Sequence, residues 1–442
     1  MGMIEKEVEL RYGKKKVAIL VGGGPAPGLN GVISSVTLES IQRGYEVVGI
    51  YNGFKWISSA DFDPKVHTIT LDRKVVNGIH FKGGSILGTA RDSLIKNGKI
   101  DTEKVNNVKK AMEIMDIGYL VTTGGDDTAF SASIISKEIK NFYVAHVPKT
   151  IDNDLPLPGE MPTFGFQTAR ELGTDLLKNL LEDARTTGRW YFVVAMGRSA
   201  GHLALGMGIA AGATLTIIPE QFGHGKTTLK SVCDIIEGSM LKRKLQGMDW
   251  GIGVIAEGVA YKFGDFEQLE KVMGRPIPKD PHGHPRLAEV PLGDLLKREI
   301  ENRYAEREQK ITIVTKDIGY ELRCADPIPF DIEYTRELGY GAMDFLLGDD
   351  YNADFKEAGA MISLVEGNLN PIPFHQIMDP DSGKKTIRLV NTYSYNYKVA
   401  RAFMTLLEPK ELNSPDQLSK LSSIAKMDEN TFKKHFSNLP RI

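Results

Sequence analysis

Residues 17–42, VAILVGGGPAPGLNGVISSVTLESIQ, place an apolar run before a glycine-rich turn and a segment with helical spacing. The run Val17 to Val21 is too continuously apolar for a half-exposed strand, so it predicts a strand that is covered on both faces. The segment Gly31 to Gln42 predicts a helix that covers one of those faces. This rhythm of strand, turn and helix predicts an α/β fold with a mainly parallel sheet.

The same rhythm recurs along most of the chain. Further apolar runs predict strands, and amphipathic segments between them predict helices. The predicted strands are Glu46 to Ile50, Tyr119 to Thr122, Tyr143 to Val147, Tyr191 to Ala195, Leu215 to Ile218 and Gly253 to Ala256, and the predicted helices are Thr128 to Lys140, Arg170 to Asp183 and Leu292 to Glu306.

Length and composition limit the class of protein. A chain of 442 residues exceeds one ordinary core and predicts two domains with an appended third. With 41% hydrophobic and 25% charged residues it matches a globular protein. Its apolar runs fall short of the ~20 residues of a spanning helix, so we expect no membrane segment. The net charge of -2 excludes a generally basic nucleic-acid surface, so we expect no nucleic-acid partner.

Cysteine usage and the amino-terminal segment bear on the compartment. The chain contains only Cys233 and Cys324, with no paired spacing. That pattern favours a reducing compartment and argues against a thiolate metal site. The stretch Met1 to Lys16 is charged and lacks an apolar signal region. We therefore expect a cytoplasmic protein.

Two glycine loops are candidates for binding phosphate. Gly22 to Gly28 follows the first predicted strand, where backbone N–H groups and a helix start favour an anion. This loop lacks the Lys-Ser/Thr ending of a Walker loop, so a plain tight turn is an equal alternative. Gly83 to Arg91 is a second glycine loop, and its terminal arginine has the fork geometry that bridges phosphate oxygens. An ordinary surface arginine is the alternative for Arg91.

Carboxylates follow the next two predicted strands. In Gly124-Gly125-Asp126-Asp127 the adjacent carboxylates suit a hydrated Mg²⁺ that bridges to phosphate, although Asp127 alone fits a helix cap. The turn Lys149-Thr150-Ile151-Asp152-Asn153-Asp154 carries two carboxylates beside a lysine. One of them suits a general base and the other a metal ligand, and a polar turn is the alternative.

Later strand ends carry further candidates. Met196-Gly197-Arg198 closes a predicted strand, so Arg198 lies where a sugar phosphate can dock, while His202 is better explained as structural. Glu257 suits sugar hydroxyls but is also typical of a solvated strand end. Tyr320 and Arg323 form a further candidate anion contact.

Taken together, these segments resemble the phosphofructokinase family in order, spacing and content. The resemblance runs from about Val17 to about Ala342 and includes Gly88-Thr89-Ala90-Arg91, Gly124-Gly125-Asp126, Thr150 to Asp154, Met196 to Arg198, Glu257 and Arg323. It implies two Rossmann-like αβα domains with mainly parallel sheets and a carboxy-terminal extension, with phosphoryl transfer in the cleft between the domains. From it and a proline-rich break at Pro156 to Pro162 we expect a donor domain in residues 1–160, joined by later segments, a fructose 6-phosphate domain in 161–342 and an extension of unassigned role in 343–442.

The resemblance also implies residue roles. Asp152 becomes the general base, and Asp126 with Asp154 holds Mg²⁺. The expected donor contacts are Gly23, Gly24, Arg91, Gly125 and Asp126, and the expected contacts of fructose 6-phosphate are Thr150, Ile151, Asp152, Arg189, Met196, Gly197, Arg198, Glu257, Tyr320 and Arg323. Because Arg189 matches an arginine that family members present across a subunit interface, we expect a homodimer or homotetramer with shared active sites.

Asp127 and Lys149 bear on the phosphoryl donor. ATP-using members of the family typically carry glycine at both positions, whereas the pyrophosphate-using branch carries these two residues. At ~4 Å and an effective dielectric near 20, a carboxylate at Asp127 repels the α-phosphate of ATP by about 4 kcal/mol, roughly a thousandfold in affinity. Pyrophosphate has no third phosphate to be repelled, and Lys149 places a positive charge near the transferring group. The resemblance thus implies a phosphotransferase that uses pyrophosphate, reversibly, in glycolysis.

Three alternatives stay open on the sequence. An ATP-dependent phosphofructokinase would tolerate Asp127 and Lys149. A non-catalytic regulatory subunit on the same fold would not need Asp126, Lys149 and Asp152. A nucleotide-cofactor kinase with a similar Gly-Gly-Asp loop would leave Met196 to Arg198 unexplained. Two residues depart from the bacterial ATP-dependent pattern: Pro25 is compatible with pyrophosphate use, and Cys324-Ala325 weakens the assignment of Arg323.

Overall fold

The computed structural model describes residues 15–96, 99–223, 225–264, 266–277, 290–376, 387–437 and 439. The first 14 residues, which include most of the stretch expected to lack a signal region, lie outside this part. No helix within the described ranges is both long and apolar enough to span a bilayer.

The strands, numbered along the chain, are β1 Lys16–Val21, β2 Val47–Ile50, β3 Thr68–Leu71, β4 Ile95–Lys96, β5 Lys99–Ile100, β6 Ile117–Gly124, β7 Tyr143–Pro148, β8 Trp190–Ala195, β9 Leu215–Ile217, β10 Gly251–Ala256, β11 Ile313–Ile318, β12 Ala360–Met361, β13 Leu364–Val365, β14 Asn368–Leu369 and β15 Ile372–Pro373. All seven predicted strands are present, with ends shifted by one or two residues.

The α-helices are α1 Leu29–Gln42, α2 Phe54–Ile57, α3 Pro64–His67, α4 Thr102–Ile114, α5 Asp126–Glu138, α6 Phe166–Thr187, α7 His202–Ala211, α8 Leu229–Leu245, α9 Phe266–Met273, α10 Leu292–Glu306, α11 Pro329–Leu347, α12 Ala353–Ala358, α13 Tyr395–Phe403, α14 Pro409–Asn413, α15 Pro415–Ala425 and α16 Glu429–Phe436. The four predicted helices correspond to α1, α5, α6 and α10.

The first compact unit is built on a seven-stranded sheet in the order β15-β12-β7-β6-β1-β2-β3. Its five central strands, from β12 to β2, are parallel, and the edge strands β3 and β15 are antiparallel to their neighbours. Alternate residues of β1 enter two different cores. Val17 and Ile19 pack with α1 and α11, whereas Ala18 and Leu20 pack with α4 and α5. This sheet is therefore covered by helices on both faces, as a parallel sheet requires.

The second compact unit contains a four-stranded, wholly parallel sheet in the order β11-β8-β10-β9. Its main core joins Trp190 and Phe192 of β8 to apolar residues of α8 and α10. The predicted class, α/β with mainly parallel sheets, is confirmed by these two sheets and their helical layers.

The division along the chain differs from the expected boundaries at residues 160 and 342. The first unit comprises Met1–Ala169 and Glu321–Arg388, and the second comprises Arg170–Tyr320 and Leu389–Ile442. The return of the chain to the first unit has a clear cause, because α11 packs along α1 and β12 pairs with β7. The expected extension 343–442 is thus shared between the two units rather than standing apart.

Candidate active site

Three loops of the first unit follow neighbouring parallel strands. The strands β7, β6 and β1 are adjacent in the sheet, so their carboxyl ends share one edge. The N–H of Gly22 donates to the carbonyl of Thr123 at 2.8 Å, and the N–H of Lys149 donates to the carbonyl of Gly124 at 2.8 Å. The loops that begin at Gly22, Gly124 and Lys149 therefore lie side by side.

Two cations face the glycine loop. The Nζ atom of Lys149 donates to the carbonyl of Gly24 at 2.5 Å, and a Cβ atom on Gly23 would lie 3.6 Å from that Nζ. A Cβ atom on Gly24 would lie 3.3 Å from the Cζ atom of Arg323. Any side chain at Gly23 or Gly24 would thus occupy space beside a lysine and an arginine. This glycine-lined, positively charged space suits a small phosphate-bearing anion.

The surroundings of Lys149 disfavour its positive charge. Its side chain is buried, and burial lowers its pKa to about 8, with Arg323 and Arg91 acting in the same direction. Asp152 and Asp154 partly offset this by raising the pKa. An anion bound beside Lys149 would offset the repulsion between these cations. The arrangement therefore favours the binding of an anion.

The second glycine loop pairs with the first. Gly23 donates its N–H to the carbonyl of Ala90 at 2.8 Å, and the hydroxyl of Thr89 donates to the carbonyl of Gly23 at 2.6 Å. This register places Arg91 immediately after the contact, with its side chain exposed. Arg91 thus belongs to the same edge as Lys149, as its effect on the lysine pKa also shows.

Asp126 and Asp127 occupy the first turn of α5 and are exposed. The helix begins at Asp126 with Gly125 as its N-cap, and Gly125 offers no side-chain bond. The carboxylate of Asp126 accepts the N–H of Asp127 at 2.8 Å. The alternative in which Asp127 caps a helix that starts at Thr128 is therefore wrong, because Asp127 lies inside the helix.

Two carboxylates of this edge fit a divalent cation. The pKa of Asp154 is raised, first by burial and then by the negative charge of Asp126, so the two groups lie close enough to repel each other. Mg²⁺ in proteins commonly takes one or two carboxylates and completes its shell with water and substrate phosphates. Among the residues that the structure describes, no group of three or more His, Cys, Asp or Glu side chains forms a complete cage. The Asp126 and Asp154 pair suits an ion shared with substrate.

The turn that carries Asp152 is tightly held. The N–H of Asp152 donates to the hydroxyl of Thr150 at 3.0 Å, and the hydroxyl of Thr163 donates to the carbonyl of Thr150 at 2.7 Å. Asn153 has φ of 56°, in the left-handed region, and its side-chain oxygen accepts the N–H of Thr163 at 3.0 Å. Ile151 is buried beside these contacts. The turn is thus ordered by side chains as well as by the sheet.

The second unit gathers the other predicted residues at its own sheet edge. Arg198 follows β8, Glu257 follows β10 and Tyr320 follows β11, and these three strands are neighbours. Arg198 and Tyr320 are exposed, and Glu257 is half-buried. Close backbone contacts join the strand ends: Met196 donates its N–H to the carbonyl of Ile318 at 2.9 Å, and Gly258 donates to the carbonyl of Gly197 at 3.1 Å.

Arg189 lies elsewhere in the second unit. It precedes β8, whereas Met196 follows that strand, so the two residues are at opposite ends of a six-residue strand. At about 3.3 Å per residue this separates them by roughly 20 Å. The Nε atom of Arg189 forms an ion pair with Asp183 at 3.7 Å, beside the hydroxyl of Tyr191. The structure therefore does not bring Arg189 to the edge that carries Arg198 and Glu257.

Comparison with known proteins gives a consistent result. The family model described as "Phosphofructokinase" matches residues 16–346. The chain is 53% identical over 96% of its length to the whole of the pyrophosphate--fructose 6-phosphate 1-phosphotransferase of Thermotoga maritima. It is 42% identical over 96% of its length to an enzyme of the same name from Naegleria fowleri, of which it covers 95%.

A solved structure agrees on the fold. A pyrophosphate-dependent phosphofructokinase from Nitrosospira multiformis superimposes with a TM-score of 0.64 at 14% identity, over 93% of this chain and 92% of that one. At this identity the likeness speaks for the fold alone. Because the family model covers three quarters of the chain and two relatives of matching length share more than 40% of its residues, the chain belongs to the phosphofructokinase family.

Proposed function

We propose that this protein transfers a phosphoryl group from pyrophosphate to the 1-hydroxyl of fructose 6-phosphate, giving fructose 1,6-bisphosphate and phosphate. The proposal is carried by one observation, the buried Lys149 whose Nζ atom lies on the carbonyl of Gly24 beside Arg323. This lysine fills space at the glycine loop and supplies positive charge there, which favours a short donor over a nucleotide. The names of the Thermotoga and Naegleria relatives agree with it.

The donor is assigned to the first unit. Gly23, Gly24 and Gly125 allow its oxygens to approach the backbone, while Lys149 and Arg91 neutralise its charge. Asp127, exposed in the first turn of α5, disfavours the α-phosphate of ATP by repulsion. The two glycine loops are bonded to each other, so this arrangement exists before the donor binds and costs little reorganisation.

The acceptor chemistry centres on Asp152. Its carboxylate takes the proton of the sugar 1-hydroxyl as that oxygen forms a bond to the donor phosphorus, and the bridging P–O bond of pyrophosphate breaks as phosphate leaves. General-base catalysis of this kind contributes 10²–10⁴-fold as an order of magnitude. Thr150 and Ile151 adjoin the base and contact the sugar, and Met196, Gly197, Arg198, Glu257, Tyr320 and Arg323 bind its hydroxyls and 6-phosphate.

Members of the family generally need a divalent metal. We assign Mg²⁺ to Asp126 and Asp154, whose carboxylates repel each other in its absence. The ion supplies charge neutralisation for the donor oxygens. We further assign a cytoplasmic location, and a homodimer or homotetramer in which Arg189, remote from Arg198 in its own chain, serves the 6-phosphate of a neighbouring subunit.

The proposed function is tested by following both directions of the reaction. Fructose 6-phosphate, pyrophosphate and Mg²⁺ should yield fructose 1,6-bisphosphate, and fructose 1,6-bisphosphate with phosphate should yield pyrophosphate. An Asp152→Ser variant should lower kcat by about 10²–10⁴-fold with little change in the KM for pyrophosphate. Asp175→Ser, an exposed carboxylate on α6, is the matched control. A near-normal kcat for Asp152→Ser would remove it from the mechanism.

A further inference from the structure

The turn between Asp152 and Asp154 is built around an unfavourable backbone conformation. Asn153 has φ of 56°, a region that residues other than glycine rarely adopt and that asparagine tolerates better than most. Such conformations persist where surrounding contacts hold them, and they cluster at functional sites. Asn153 lies between the proposed base and the proposed metal ligand, so the groups that hold it also fix these two carboxylates.

Asn153 is held by Thr163, as described above, and by one side chain from far along the sequence. The Nε atom of Arg388 donates to the carbonyl of Asn153 at 3.1 Å, and its second guanidinium nitrogen donates to the Asn153 side-chain oxygen. A third nitrogen donates to the carbonyl of Met161 at 2.7 Å, and the backbone N–H of Arg388 donates to the carbonyl of Asp154 at 2.8 Å. Arg388 thus forms hydrogen bonds with both residues that follow Asp152.

The chemistry of these contacts is directional rather than ionic. The acceptors named above are three backbone carbonyl oxygens and one side-chain amide oxygen, and none of them carries a charge. Arg388 is half-buried, and burial lowers its pKa. Asp154 and Glu160 act on it through space in the opposite sense. A planar fork of donors suits several fixed oxygens at once, which a lysine ammonium does not.

Arg388 lies late in the chain, outside the part that the family model matches. It lies beyond residue 346, where the match to the family model ends, in the segment to which the sequence assigned no role. It also lies at the last residue of the first unit, the same unit as the 149–154 turn. The carboxy-terminal segment therefore reaches the proposed catalytic turn through this residue.

We propose that Arg388 is a positioning residue that fixes the turn carrying Asp152 and Asp154, so that the segment after the family core supplies a part of the catalytic arrangement. This inference rests on the proposed function. Arg388 acts through Asn153 and the backbone, and it takes no part in the proton transfer itself. A misplacement of about 1 Å at a reacting group costs on the order of 10²-fold in rate.

The test compares Arg388→Ala and Arg388→Lys with the wild type, using the full chain, fructose 6-phosphate, pyrophosphate and Mg²⁺. We expect kcat to fall by about 10²-fold in Arg388→Ala while both KM values change little, because the turn is displaced rather than the binding groups removed. Arg388→Lys should not restore kcat, since one ammonium cannot replace the fork. Guanidinium ion at a sub-denaturing concentration should restore part of the activity of Arg388→Ala.

Arg43→Ala is the matched control for a loss of stability alone. Arg43 is also half-buried and bonds to Glu39 and Asp344 in the same unit, away from the catalytic turn. We expect this variant to lower Tm while its folded protein keeps the wild-type kcat. Hydrogen exchange at residues 152–154 should accelerate in Arg388→Ala and stay unchanged in Arg43→Ala.

Each outcome decides the inference. If the wild type turns over pyrophosphate and folded Arg388→Ala keeps kcat within a few-fold, the inference alone is wrong. If the wild type has no activity with pyrophosphate, the proposed function fails and the inference falls with it. If Arg388→Ala does not fold, Asn153→Gly carries the test, because it keeps the left-handed backbone and removes the side-chain oxygen, which is one of the four oxygens named above that accept from Arg388. A normal kcat in Asn153→Gly would then overturn the inference.

Discussion

Lys149 and Asp127 are the residues on which donor choice depends. Lys149 is buried on the carbonyl of Gly24, with its pKa lowered to about 8, first by burial and then by neighbouring cations. A negatively charged donor would favour the protonated form, so binding and charge on the lysine support each other. Asp127 lies exposed in the first turn of α5. There its carboxylate repels the α-phosphate of ATP, whereas pyrophosphate has no third phosphate to be repelled.

Removing the Asp127 carboxylate should widen donor choice. We expect Asp127→Gly to make ATP a detectable donor, with a KM for ATP lowered by orders of magnitude, because a repulsion of about 4 kcal/mol is relieved. Pyrophosphate use should survive. Initial rates with each donor measure this, and Asp127→Asn separates the loss of charge from the loss of volume. Continued exclusion of ATP by Asp127→Gly would show that donor choice lies elsewhere.

At the scale of elements, the carboxy-terminal helices complete the second unit. Leu412, Leu421, Phe432 and Phe436 of α14 to α16 form one buried cluster with Leu241 of α8. This part of the extension, to which the sequence assigned no role, is thus packed against α8 of its unit.

An ion cluster accompanies this packing. His435 of α16 lies 3.2 Å from the carboxylate of Asp234 and 3.8 Å from that of Glu237, both on α8. The same two carboxylates contact Arg303, which with Arg307 comes from the α10 region. The carboxylate of Asp234 and then that of Glu237 raise the pKa of His435 by stabilising its protonated form. Protonation of His435 therefore adds to the apolar packing that holds α16 on α8.

The stability of the second unit should fall as the pH rises through this titration. Because the folded-state pKa of His435 is raised, its contribution is fully present below the unfolded value of about 6.5 and is lost as the pH rises through the higher folded-state pKa. We expect the Tm difference between the wild type and His435→Gln to be largest at low pH and to shrink as the pH increases. His375→Gln, which changes an exposed histidine of the first unit, is the control. A difference independent of pH would show that His435 contributes by packing alone.

At the scale of the whole molecule, regular apolar periodicity explains what the sequence predicted. Strands such as β1 and β8 are continuously apolar and were located within one or two residues. Strand β11 was not predicted, because its Thr315-Lys316-Asp317 run is polar, as an edge strand of the four-stranded sheet allows. Later segments were expected to join the first unit, but residues 321–388 were not identified as those segments, since pairing between β12 and β7 leaves no local pattern.

The candidate site was likewise predictable only in part from the sequence. Loops after adjacent strands were predictable from the topology of a parallel sheet, and Asp126, Lys149 and Asp152 do follow such strands. The sequence did not separate Gly22 and Gly124, whose Cβ positions are filled by Thr128, from Gly23 and Gly24, which face cations. Arg388 gave no signal, because a residue 235 positions from Asn153 is recognised only by its contacts.

Comparison of the two donors tests the central claim most directly. Initial rates are measured on the wild type with fructose 6-phosphate and Mg²⁺, using pyrophosphate or ATP. We predict that kcat/KM for pyrophosphate exceeds that for ATP by about a thousandfold or more, the ratio that a repulsion of about 4 kcal/mol implies. Equal use of the two donors, or a preference for ATP, would contradict pyrophosphate dependence.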